Sequence, residues 1–219
     1  MPTMTRTDES VTVVRGEAEV MRRTAHLFAT AREITCAANE FASWRWEADG
    51  PAAMPEPARD ARVRKVFRSG ALFDPGWAQR MAAIRHHPAV SIRVTSDEVN
   101  ETIILDRRVA ILAGDRRAGV RSYSILTQRD AVQGVTSLFE AAWRASTDLD
   151  VHDAASAEIR ELAPQVLDLL SQGVKDESAA RALGLSVRTY RRRVAELMEA
   201  LGAESRFQAG VRARELGLV

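Results

Sequence analysis

Two hydrophobic rhythms divide the chain. Over residues 17–145 short alternating stretches mix with helical ones. Beyond about residue 158 the period is helical to the end. In the first part, Val20, Met21, Ala25, Leu27 and Phe28 form a stripe that predicts a helix over 17–32, and the apolar run 34–38 predicts a buried strand. Residues 62–68 alternate, with Val63, Lys65 and Phe67 set against Arg64, Val66 and Arg68, and predict another strand. Asp74-Pro75-Gly76 is a turn that opens a short helix over 77–86. Residues 90–95 alternate again, 101–114 reads as two strands joined by Asp106-Arg107-Arg108, and 120–127 is one more strand. The clearest helix is 129–145, with Val132, Val135, Leu138, Phe139, Ala142 and Trp143 at helical spacing. Its Phe139 and Trp143 are candidates for packing within or between subunits.

Three segments break the rhythm. Residues 1–16 read as a flexible tail, and 47–60, with Gly50, Pro51, Pro55 and Pro57, as a loop. Residues 148–157 hold Asp148, Asp150 and Asp153 among few apolar residues and read as a linker. The expected organisation is an α/β domain over 17–147, a mixed sheet with flanking helices, and an all-α domain of four helices over 158–219.

The last segment carries the most information. Ile159, Leu162, Val166, Leu167, Leu169 and Leu170 make a buried stripe that ends at Gly173, with Pro164 suggesting a late helix start. Asp176 can cap a short second helix, Gly184-Leu185 is a tight turn, and Ser186 caps a third helix. Ser205 begins a fourth, with Gln208 completing a capping box. On the third helix Tyr190, Val194, Leu197, Met198 and Leu201 share one face, and Arg188, Arg191, Arg192 and Ala195 the other. A short helix, a glycine turn and a capped helix with outward arginines form a helix-turn-helix, whose second helix enters the major groove by its N-terminal half. Guanidinium groups suit both guanine edges and phosphates, and the hydroxyls of Ser186 and Thr189 suit phosphates. An isolated arginine cluster is more often a solvated face. Here no acid interrupts 186–195, and the cluster falls on the reading helix.

This stretch resembles the LuxR/NarL family of transcriptional regulators. The resemblance rests on Ala180-x-x-Leu183-Gly184-Leu185-Ser186-x-Arg188-Thr189, on Leu201-Gly202-Ala203-x-Ser205-Arg206-x-Gln208-Ala209, and on residues 213–218. It implies that Arg191 and Arg192 occupy positions that touch bases or backbone. Tyr190 stands where the family usually has Val, Arg193 where it often has His, and the family's Glu in the first helix is absent. The candidate DNA-contacting residues are Lys175, Ser186, Arg188, Thr189, Arg191, Arg192 and Arg193.

A phosphoryl-acceptor receiver often precedes such a domain, but its acidic pair and late lysine are not found here: the 34–38 strand leads to Asn39-Glu40. The segments 105–112 and 138–143 are instead similar to the phospholipase D-like sensor domain of TrmB-type regulators. Active phospholipase D enzymes carry His-x-Lys-x4-Asp. With Asp106 placed on the Asp, Val99 and Glu101 stand at the His and Lys, and His26, His86, His87 and His152 do not rebuild the motif. Asp106 is then simply a turn residue, and no catalytic residue is assigned. TrmB-type regulators carry a helix-turn-helix ahead of this domain; here DNA binding is expected to rest on the C-terminal domain.

Composition narrows this further. Of 219 residues 46% are hydrophobic and 28% charged, the balance of a globular protein, and the net charge of +1 means that any basic surface is local. Cys36 is the only cysteine, which excludes an internal disulfide. Adjacent His86 and His87 point apart and do not suggest a metal, and no cofactor is expected. Trp44 and Trp46, beside Arg45 and Glu47, are candidates for a ligand pocket or an interface rim. No apolar run spans a membrane and the N-terminus lacks a secretory pattern, so a cytoplasmic location is expected. The leading expectation is a non-enzymatic homodimeric regulator of double-stranded DNA, its sensor domain open to a small-molecule effector. The alternatives are a degenerate phospholipase D-like phosphodiesterase and a protein-binding adaptor.

Overall fold

The structure, a computed structural model, describes residues 10–39, 60–74 and 76–219. The candidates Trp44 and Trp46 lie outside the described residues.

The elements run β1 (Val11–Arg15), α1 (Glu17–Thr30), β2 (Glu33–Ala38), β3 (Arg62–Arg68), a 3-10 turn (Ser69–Phe73), α2 (Trp77–Ile84), β4 (Val90–Thr95), β5 (Thr102–Leu105), β6 (Val109–Arg117), β7 (Val120–Leu126), α3 (Arg129–Ala145), β8 (Thr147–Asp148), α4 (Leu149–Ser171), α5 (Asp176–Ala182), α6 (Val187–Ala200) and α7 (Arg206–Glu215). The strands form one eight-stranded sheet in the order β1-β7-β6-β5-β2-β3-β4-β8. β2, β3 and β4 run parallel, and the other pairs are antiparallel. This is the mixed sheet with flanking helices that the alternating segments predict.

Alternation sends neighbouring residues to opposite faces of the sheet. Ile34 and Cys36 of β2, Val63 and Phe67 of β3 and Ile103 of β5 pack with Val20, Met21 and Phe28 of α1 and with Trp77 and Met81 of α2. Ala37, Val66 and Ile104 face the other way, against Val132 and Phe139 of α3. Phe139 and Trp143 therefore pack within the chain, with ring centroids 6.0 Å apart. Burial pushes the Cys36 thiol up to about 12. The turn after β5 places Asp106 at φ 50 and Arg107 at φ 54. The Asp106 carboxylate accepts from the backbone N–H groups of Arg32 and Glu33, each at 2.8 Å, and so ties the hairpin to the start of β2. That is a turn residue's work, for which Asp tolerates left-handed backbone better than most residues.

Three boundaries differ from the sequence reading. Residues 11–15, expected in the tail, form edge strand β1 against β7, with Val14 buried and Val13 exposed. Five residues beside a polar start carry little signal, and the ladder with β7 makes the strand. Residues 148–157, expected as a linker, are β8's end and the first turns of α4, a helix that contains Pro164 and starts early rather than late. Their aspartates are helix-start chemistry. Asp148 caps the backbone N–H of Asp150 at 3.0 Å, and Arg85 reaches Asp153 at 2.7 Å. Asp176, expected as the cap of α5, is that helix's first residue, while Lys175 holds the cap position without a side-chain bond.

The helices after residue 158 enclose a core of their own, built on Ile159, Val166, Leu167, Ala180, Tyr190, Val194, Leu197, Leu201 and Ala209. α4 joins the two parts, since its Leu149 is buried in the sheet core and its Ile159 in the helical one. A second tie comes from the end of β3. Arg68 Nη2 donates to the Gly202 carbonyl at 3.1 Å, and Ser69 Oγ donates to the Ala200 carbonyl at 2.6 Å. Both acceptors lie at the C-terminal end of α6, where helix carbonyls lack partners within the helix.

Candidate nucleic-acid interface

The α5–α6 unit folds for local reasons. α5 ends with Leu185 N–H bonded to the Ala180 carbonyl at 2.8 Å, a closure that needs left-handed backbone between them; Gly184 supplies it at φ 65. Ser186 then caps α6, its Oγ accepting from Thr189 N–H at 3.1 Å. The Thr189 hydroxyl lies 2.9 Å from Ser186 Oγ, so the two hydroxyls named as phosphate contacts also hold one another. Ser205 caps α7 through Gln208 N–H at 3.1 Å. The Gln208 side chain accepts from Glu204 N–H at 2.7 Å, one residue before the expected capping-box partner.

On α6 the buried face is as expected: Tyr190 and Leu197 are fully buried, with Val194 and Leu201 beside them. Among the described residues, the Tyr190 hydroxyl has no hydrogen-bond partner, and burial pushes its pKa up. Arg188, Arg191, Arg192 and Ala195 are exposed on the opposite side. Lys175 is exposed at the start of α5.

Arg193 does not join them. It is buried, its Nη1 donates to Glu196 at 2.7 Å, and its Nη2 pairs with Glu158 of α4. The sequence already held the reason. Residue 193 is three positions after Tyr190 and four before Leu197, which places it on the packed side of the helix. It fastens α6 to α4 and is not placed to reach a duplex.

The exposed arginines differ in how they are held. The Arg191 side chain is 59% exposed, and its Nε donates to Asp176 Oδ2 at 2.8 Å. Arg206, from the start of α7, donates through Nη1 to Asp176 Oδ1, also at 2.8 Å. These two guanidinium groups, Arg206 first, hold the Asp176 carboxyl below the usual carboxylate range. Arg192 Nε lies 3.5 Å from Glu196, a loose pair on an exposed side chain. Sequence reasoning missed Asp176 and Arg206 as parts of this surface. Arg206 was visible in the Ser205-Arg206 pair, but its partner lies 30 residues away.

Elsewhere, Val99 is buried, and its backbone exchanges hydrogen bonds with the Asn39 side chain at 2.8 and 2.7 Å. Buried Glu101 pairs with Arg121. His86 and His87 are exposed, and His87 Nδ1 accepts from Ala89 N–H at 3.3 Å. Among the described residues, no group of His, Cys, Asp and Glu is placed to hold a metal, and no helix is long and apolar enough to cross a membrane.

No family model matches the chain. It is 34% identical over 118 residues to the bialaphos biosynthetic pathway regulatory protein of Streptomyces hygroscopicus, a match that covers 53% of this chain and 46% of that protein. The chain thus spans about half the length of the curated relative it matches. Among solved structures it overlaps TrmBL2, an archaeal chromatin protein described with a mode of DNA binding. The TM-score is 0.49 at 16% identity, over 67% of this chain and 56% of that one. It also overlaps Nuc, a phospholipase D family member from Salmonella typhimurium, with a TM-score of 0.43 at 13% identity, over 63% and 97% of the two chains.

Proposed function

We propose that this protein is a DNA-binding transcriptional regulator of the LuxR/NarL type, with α6 as the helix that enters the major groove. The observation that carries the reading is the face formed by Arg188, Arg191 and Arg192. It stands exposed on the N-terminal half of a helix whose other side is anchored by Tyr190, Val194, Leu197 and Leu201. Lys175, Ser186 and Thr189 flank it as phosphate contacts. The regulatory relative supports the same reading.

The sheet domain acts in this reading as a non-catalytic, phospholipase D-like module. Buried Val99, Glu101 held by Arg121, and Asp106 spent on backbone N–H groups support the absence of phosphodiester chemistry. A second copy of the chain completes the reader. Phe207, 84% exposed, and Val211, one turn on, give α7 an apolar face suited to it. A small-molecule effector has its natural place in the cavity of about 370 Å³ between the two parts, lined by Ser69, Thr95, Asp97, His152, Glu196 and Glu199. Residues from both sides line it, so occupancy would be felt by the reading helix.

The test is binding of the full chain to promoter fragments across a salt series. Affinity should fall with a log–log slope of about −0.9 per phosphate neutralised. The Arg191→Ala/Arg192→Ala variant should lose most of that affinity. Binding as tight as the parent's would show that the reading face is misassigned.

A further inference from the structure

We propose that Asp176 is a positioning residue that turns Arg191 into a fork selective for guanine, an inference that rests on the DNA-binding reading above. A free arginine side chain samples many rotamers, and its guanidinium can offer either its Nε edge or its two terminal amino groups. Here the choice is made before DNA arrives. Asp176 Oδ2 takes the Nε–H at 2.8 Å. Among the described residues, Nη1 and Nη2 have no hydrogen-bond partner. Exposed Glu177 stands off from them, its Oε1 3.8 Å from Nη2 and beyond hydrogen-bond distance. What remains open is the end-on pair of N–H groups.

The clamp is itself held. The Asp176 side chain is only 16% exposed, and its other oxygen is taken by Arg206 Nη1 at 2.8 Å. The carboxylate cannot swing away with Arg191, because Arg206 binds it from the start of a different helix. Two guanidinium groups also neutralise a carboxylate that would otherwise repel the phosphates of a duplex.

An end-on fork matches one base edge in the major groove. Guanine presents O6 and N7, two acceptors side by side, whereas adenine presents N7 beside the N6 amino group, which opposes one donor of the fork. Fixing the fork therefore adds discrimination more than raw affinity. Removing the negative charge of Asp176 works the other way on non-specific binding, because the surface becomes more positive. The two effects carry opposite signs, which a merely structural residue would not produce.

The experiment selects bound duplexes from a random-sequence double-stranded library with the full chain. It then measures affinities for the selected site, for its guanine-to-adenine variant and for a scrambled duplex. The proteins are the parent, Asp176→Asn, Arg191→Lys and the double variant. The parent should enrich a motif containing a guanine whose preference Arg191→Lys weakens, since lysine keeps the charge but lacks the planar fork. Asp176→Asn should lower the guanine-to-adenine affinity ratio about tenfold while binding the scrambled duplex as well as the parent or better. The double variant should show the ratio of Arg191→Lys alone, since the two residues act through one fork.

An unchanged ratio in Asp176→Asn overturns the proposal, as does a parallel loss of specific and scrambled binding. An undiminished guanine preference in Arg191→Lys, which keeps the charge but not the fork, overturns it independently; that substitution is on an exposed side chain. A parent that enriches no motif sinks the DNA-binding reading itself, a result distinct from all of these.

Discussion

Arg64 in the sheet and Arg191 on α6 are both bound to carboxylates, yet they have opposite characters. Arg64 is enclosed. Glu140 takes it in two bonds, at 2.6 and 3.1 Å, Glu33 takes a third at 2.9 Å, and the guanidinium lies 5.3 Å from the ring centres of both Phe139 and Trp143. Both its terminal amino groups and its flat face are engaged inside the fold, fastening α3 to β2 and β3. Arg191 is held along one edge by Asp176 and left open at the other. An arginine whose terminal amino groups are both held by carboxylates of its own chain is a structural rivet; one restrained on its Nε edge alone is a presented ligand. Arg193, paired to Glu158 and Glu196 and buried, belongs with Arg64 despite standing in the arginine run of α6.

The largest expected effect lies on the open side. Arg191→Ala/Arg192→Ala should weaken binding to the selected site about 100-fold, close to 3 kcal/mol, while moving the urea midpoint by no more than about 0.5 kcal/mol in stability. A matching loss of stability would erase the distinction between the two arginine classes. Arg64→Ala should do the reverse. Loss of a half-buried bidentate pair and of two ring contacts should lower stability by about 2 kcal/mol in chemical denaturation, with DNA affinity of the folded fraction unchanged.

A smaller effect sharpens the contrast from beneath α6. The Tyr190 hydroxyl is buried without a partner among the described residues, so Tyr190→Phe should raise stability by roughly 0.5–1 kcal/mol, read from the same denaturation curves. A loss would mean that the hydroxyl is bonded after all. The smallest effect is on pH. Glu140 and Asp176 are both held below the usual carboxylate range, chiefly by Arg64 and by Arg206 respectively. A depressed folded-state pKa contributes stability above the unfolded value near about 4, and that contribution is lost as pH falls through the folded value. The parent's melting temperature should therefore drop on acidification below about pH 4, and Glu140→Gln should flatten that drop. An identical acid profile in that variant would remove Glu140 from the account.

Much of the architecture could be read in advance because it rests on local periodicity. β3 at Arg62–Arg68 and α3 at Arg129–Ala145 coincide with the segments that the pattern marks. The caps at Ser186 and Ser205 were equally plain, since a hydroxyl three residues before an orphan N–H is a matter of short-range geometry. Where the reading failed, the missing information was a partner. Strand β1 needed β7, and the aspartates of α4 needed Arg85 and their own helix start before they stopped resembling a linker.

The reading face divides the same way. Helical spacing alone settles that α6 has an apolar side and an arginine side, because 3.6 residues per turn leave no freedom in the matter. It cannot say which arginines are neutralised, since charges pair through space. The stretch 186–195 contains no acid, yet α5 brings Asp176 to Arg191 and α4 brings Glu158 to Arg193. One of those pairings leaves a guanidinium poised at the surface and the other seals one away. The difference between them is a fact of how four helices pack, not of the order in which their residues are written.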